Sequence, residues 1–404
     1  MKKNKILKFR LLVLVIGLLI GIYSFNHAGG GGQLEPEKID SIAKFQDLLN
    51  LIREVDDSIN RIKNEAIDEE VELKSLQTSN QKNKHDTSVT NVKIKGLKRS
   101  IDTVTNKDQI DSLKFLILGL EKKINKIDSA ISINTQGISE LQSSLIKREE
   151  KIKLLSKSKS RICKKARNYI ENFSGPMYFK YNGNKVAAYV SDLQVDVIRF
   201  HLYNHSDDCY SQIQSLKTDL EAKSIKPLMI TNAGMFKRDL TPVGLFKTAA
   251  GDTKFHLDTV SKHIEDNFHL YPNGVFYIDS LNMPHIQTTS DFYKTYNFAY
   301  KSLKLATQSG PMLVINNTIH SKFTVKSINE KIRSGVGIVG KCKVVFAVTV
   351  DNESFYNFAS MLRDVFGCEN ALFLDGAISK MYLKGYEEIN YSGQFGPMIS
   401  ISEK

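Results

Sequence analysis

Four short segments of this 404-residue chain set polar side chains beside glycine where an apolar run stops or starts. Leu228–Thr231 runs into Asn232-Ala233-Gly234-Met235-Phe236, and Leu305–Ala306 into Gln308-Ser309-Gly310-Pro311. Arg333-Ser334-Gly335-Val336-Gly337 opens an apolar run, and Ala371–Leu374 ends in Asp375-Gly376-Ala377-Ile378-Ser379-Lys380. Strand ends of this kind let backbone N–H groups and side chains converge on a ligand. One alone reads as a turn; four in one region argue for a site. Its groups are a carboxylate (Asp375), a guanidinium (Arg333), two amides and three hydroxyls. Asp351, just after Val344–Val350, is a second carboxylate that pairs with Asp375 if the two strands adjoin. The nine histidines show neither HxH nor HExxH spacing, and no GxSxG elbow, phosphate-binding loop or dinucleotide fingerprint is present. Neither a metal nor another cofactor is expected.

In this order the four segments resemble the motif set of the phosphodiester glycosidase family, over roughly Pro176 to Lys404. That family includes an N-acetylglucosamine-1-phosphodiester N-acetylglucosaminidase. The resemblance implies an α+β domain that hydrolyses a sugar-1-phosphodiester on the glycosidic side. Such a reaction passes through an oxocarbenium-like state with phosphate already a fair leaving group. It needs donors on the phosphate, a carboxylate for water or the sugar cation, and amides on the sugar. Mapped onto this sequence, Asp375 is the base, nucleophile or cation stabiliser, and Arg333 clamps the phosphate bidentately with help from Ser334. Asn232 and Gln308 hold sugar hydroxyls or an acetamido group, and Ser309 and Ser379 donate to phosphate or sugar. Gly234, Gly310 and Gly376 supply backbone to the substrate. A second class of function uses the same pocket as a catalytically silent glycan-binding module.

Positioning these residues requires a domain over 165–404, where short β-like runs replace heptads. The expected class is α+β, a mixed sheet with flanking helices. One amphipathic helix carries Ile213, Leu216 and Leu220; another carries Phe355, Phe358, Leu362, Val365 and Phe366, capped by Ser354 or Asn352 and stopped at Gly367. Upstream, over 38–160, apolar residues recur alternately three and four apart, as in Phe45, Leu48, Ile52, Val55, Ile59 and Ile62, the comb of a coiled coil. The polar interval Ser79–Thr90 leaves two architectures open, an antiparallel hairpin or a parallel oligomeric stalk. Residues 1–10 are basic and 11–25 carry no charge, which predicts a transmembrane signal anchor with a cytoplasmic N-terminus, a linker over 26–37 and an extracytoplasmic C-terminal domain facing envelope glycans. The net charge of +12 sits largely in that N-terminus and among the coiled-coil lysines, interleaved with glutamate, so no nucleic-acid partner is expected. Cys163, Cys209, Cys342 and Cys368 form no CxxC pair, and buried free thiols are expected for most of them.

Overall fold

The computed structural model describes residues 36–249, 255–259, 267–375, 378–386 and 389–404. The chain divides into a unit of residues 50–164 and a unit combining those on either side.

Two long helices make the first unit, α1 (Pro36–Thr103) and α2 (Lys107–Asn172), each extending past it at one end. The chain turns between them at 104–106, where Asn106 Oδ1 accepts from the backbone N–H of Asp108 and Gln109 and caps α2. Lys159 pairs with Asp56, Arg148 with Glu69 and Glu65, Asn80 with Thr135, and Lys98 with Glu121. Partner numbers fall on α2 as they rise on α1, so the hairpin is antiparallel and formed within one chain. The polar interval does not break the helix. Asn80 and Thr87 continue the seven-residue spacing of Phe45, Ile52, Ile59 and Ile94.

The second unit starts with the outer helix ends. Phe45 stacks on Tyr169 at 5.1 Å and meets Phe179 edge-on at 5.5 Å. Seventeen strands follow among the described residues. The largest sheet has the order β1 (Gly175–Tyr181), β2 (Asn184–Asp192), β13 (Lys343–Thr349), β12 (Ser334–Val339), β15 (Ala371–Phe373), β9 (Met312–Ile315), β10 (Thr318–Ile319). A second is β16 (Met381–Leu383), β4 (Met229–Asn232), β17 (Met398–Glu403), β3 (Asp196–His201). A third is β5 (Phe246–Lys247), β8 (Leu305–Ser309), β6 (Gly274–Ile278), β7 (Pro284–Thr288), and β11 (Glu330–Lys331) pairs with β14 (Glu353–Ser354). The three larger sheets bury one shared core. Phe200 of β3 stacks on Phe246 of β5 at 5.6 Å, and Phe276 of β6 meets Phe346 of β13 edge-on at 5.8 Å. Helix α3 (Ile213–Ala222) covers the outer face of the second sheet through Ile213, Leu216 and Leu220. Helices α4 (Thr289–Tyr296) and α5 (Phe355–Ser360) are short, α5 opening on Ser354, whose Oγ accepts from Asn357 N.

Two expectations need correction. Every strand pairing among the described residues is antiparallel, so the sheets are not mixed. Among the described residues no helix is long and apolar enough to cross a membrane. The single-pass arrangement, with its cytoplasmic N-terminus and extracytoplasmic domain, is therefore not supported; the anchor over 11–25 lies outside the described residues. All four cysteines are free thiols.

Candidate active site

Three of the four motif segments meet around one hydroxyl. Ser334 opens β12 on the largest sheet, and Asn232 closes β4 on the second. Asn232 Nδ2 donates to Ser334 Oγ at 3.0 Å and so ties the two sheets together. Asp375 follows β15; its N–H donates to the same Oγ at 3.1 Å, and that Oγ donates to the Asp375 carbonyl at 2.9 Å. Ser379 Oγ lies 2.8 Å from Ser334 Oγ and 2.8 Å from the Asp375 carbonyl. A hydroxyl offers one proton and two lone pairs. Four neighbours exhaust Ser334, which holds Asp375 and Ser379 rather than a substrate.

The fourth segment braces the strand end just before Asp375. Ser309 Oγ donates to the Leu374 carbonyl and accepts from Met235 N. Asn232 Oδ1 accepts from Lys380 N at 3.3 Å, and Thr231 Oγ1 donates to the Lys380 carbonyl at 2.8 Å. Gly234 packs so close that a Cβ there would overlap the Gln308 carbonyl oxygen, while its N–H donates to Thr307 Oγ1 at 3.3 Å. Gly310 is likewise closed in, 2.6 Å from the Asn273 Cβ to any Cβ it might carry. Gly376 lies outside the described residues. The result is that residues 374–375 and 379–380 are fixed through their main chain or side chains, with Asp375 half-buried.

Three candidates hold other positions. Gln308 is buried, its Oε1 accepting from Leu245 N and Asp258 N and its Nε2 donating to Asp258 O and Thr289 Oγ1. It pins a surface loop to β8 and has no capacity left for a sugar. Arg333 is 1 % exposed. Successive residues of a strand point to opposite faces, so Arg333 turns away from Ser334 towards α5. Its guanidinium lies 3.7 Å from the Phe355 ring centre, Nε donates to Glu353 O at 3.0 Å, and Nη2 donates to Asn329 O at 2.8 Å. Burial pulls its pKa down to about 10, with Glu353 opposing, so it remains a cation near neutrality. The bidentate phosphate clamp expected of it is not formed. Asp351 is exposed and accepts from Lys185 N at 2.8 Å. Because β12 runs between β13 and β15, Asp351 and Asp375 make no carboxylate pair.

Sequence reasoning passed over Thr231, Thr307 and Lys380. Thr231 and Lys380 lie within the quoted segments and Thr307 adjoins Gln308, but a threonine in a strand is explained by ordinary β-propensity and a lysine by surface charge. Among the described residues no group of three or more His, Cys, Asp or Glu side chains is placed to hold a metal ion.

The phosphodiester glycosidase family matches residues 226–397, a span that contains every strand end just described. An uncharacterized protein, YigE, from Escherichia coli (strain K12) is 30 % identical over 219 residues, covering 54 % of this chain and 82 % of its own length. The chain belongs to the phosphodiester glycosidase family. No solved structure matches it. Within this family member the shared region holds the motif turns and all three larger sheets in part, whereas the helical hairpin 50–164 lies outside the match.

Proposed function

We propose that this phosphodiester glycosidase hydrolyses the glycosidic bond of a sugar-1-phosphodiester, N-acetylglucosamine-type sugars being the first class to test. The observation that carries the reading is the clamping of Asp375, a half-buried residue whose backbone is fixed by Ser334 and Ser379, with Asn232 bonded to the same serine. Holding a catalytic group in one geometry is itself a large part of rate enhancement. In this reading the C1–O bond to phosphate breaks, water delivers hydroxide to C1, and its proton ends on the departing phosphate monoester. Asp375 removes that proton or stabilises the sugar cation. With Arg333 turned away, the positive charge offered to the phosphate is assigned to Lys380, whose main chain is held between Thr231 and Asn232.

The test follows free sugar by NMR, using the full chain with N-acetylglucosamine-1-phosphodiesters. Sugar release by the parent, falling by about 10²- to 10⁴-fold in Asp375→Asn, supports the reading. Sugar binding without release at any enzyme concentration would replace it with the glycan-binding module.

A further inference from the structure

A cleft of about 360 Å³ opens beside α3, lined chiefly by Gln212, Gln214, Asn390, Tyr391, Ser392 and Gly393. Its volume lies in the range of small-ligand sites. Among the described residues, no lining residue carries a carboxylate, an amine or a guanidinium. The nearby Lys217 is spent on Glu221 at 2.9 Å and on the Tyr382 ring. Three amides, one serine hydroxyl and one aromatic ring therefore line the cleft, Ser392 Oγ donating to Asn390 Oδ1 at 2.7 Å. Tyr391 is propped edge-on by Tyr382 at 5.5 Å, and its hydroxyl donates to Gln214 Oε1 at 3.1 Å across the cleft. Amides and hydroxyls pair with sugar hydroxyls, and an aromatic ring suits the apolar C–H side of a pyranose. Among the described lining residues an anion or a cation finds no counter-charge.

The chain that lines the cleft runs on into the strand paired with Asn232. Phe395 N donates to Ser211 O, Ala233 N donates to Pro397 O, and Met398 pairs with Asn232 in the sheet. From Gly393 to Met398 the chain can reach at most about 18 Å, the length of a sugar or two beyond a phosphate.

We propose that this cleft binds a neutral sugar unit, and that it receives the aglycone beyond the phosphate of the substrate. The second half rests on the hydrolase reading; the first does not. Saturation-transfer NMR on the full chain with chitotriose, mannotriose and maltotriose tests the first half. Transfer to at least one of them is expected, retained in Asp375→Asn and weakened at least about tenfold in Tyr391→Ala by loss of the stacking ring. Gln214→Ala and Asn390→Ala, both at exposed positions, repeat the measurement should Tyr391→Ala fold poorly, and each is expected to weaken binding. No transfer to any of the three, or equal transfer to parent and all three cleft variants, overturns the sugar site. For the second half, kcat/KM is compared between methyl and disaccharide aglycones on the same donor sugar. The disaccharide-to-methyl ratio is expected to fall about tenfold in Tyr391→Ala, and an unaltered ratio overturns the aglycone assignment. If the parent hydrolyses neither, the hydrolase reading and the aglycone role fall together, while the binding experiment still decides the cleft.

Discussion

Ser334 Oγ has four hydrogen-bond neighbours, and all four belong to the protein. Replacing Ser334 by alanine would remove the acceptor shared by Asn232 Nδ2 and the Asp375 N–H, at about 1–3 kcal/mol. Thermal melting of Ser334→Ala is expected to show that loss together with a fall in kcat, because the turn bearing Asp375 loosens; an intact melting point with lost activity would make Ser334 a substrate ligand instead. Arg333 gives the opposite test. Arg333→Ala removes a buried cation from an aromatic face and two carbonyls, which costs about 3–5 kcal/mol. Its effect is expected in the denaturation midpoint, and a change confined to KM would return Arg333 to the phosphate. The motif residues were legible in the sequence because small and polar types interrupt apolar runs. Their roles were not, because Arg333 and Ser334 are neighbours in the chain and opposites in space. Only the strand register decides which of the two looks into the site.

At the scale of elements, the sequence marked those strands that bury both faces. Ala371–Phe373, Val344–Val348 and Met312–Val314 are continuous apolar runs, and each forms a strand of the largest sheet. Missed were the two-residue strands β5, β10, β11 and β14, the three-residue β16, β7, which begins with proline, and α4, of which only Thr289 and Phe292 are buried. Strand order was equally beyond a reading of pattern, and it alone keeps Asp351 from Asp375. In the hairpin, an interval that looked like a break is a continued heptad filled with polar residues. Asn80 is buried with Oδ1 unpartnered among the described residues, as is Thr87 Oγ1. A polar residue at such a seam fixes register and oligomer state at the cost of stability. Asn80→Leu is thus expected to raise the hairpin's urea midpoint, by about 1–2 kcal/mol, and to widen the range of oligomers seen by analytical ultracentrifugation. A lowered midpoint would show that the Thr135 contact outweighs the apolar gain.

At the scale of the whole molecule, one histidine links stability to pH. His201 donates to or accepts from Ser400 Oγ at 2.8 Å, and its pKa is lowered to about 4 by burial, with Arg199 and Lys223 adding to the effect and Asp219 opposing it. An unfolded chain returns this imidazole to about 6.5. Between those values the unfolded state binds the extra proton, so His201 makes folding stability rise with pH from about 4 to about 6.5 and contributes no slope above that. Urea midpoints across this window are expected to climb in the parent and to climb less in His201→Gln; identical slopes would remove His201 from the account. The globular unit is also discontinuous in sequence. Gln46 exchanges two hydrogen bonds with the backbone of Lys180, 134 residues away, and the intervening chain is largely hairpin. Helices assemble from local contacts much faster than distant strands pair. Once the hairpin has zipped, the gap between these residues is no longer a long flexible loop, and its closure entropy has already been met. During synthesis the early helix end therefore waits as a delivered half of an interface, and the hairpin serves as the splint that keeps it in place until the first strand arrives.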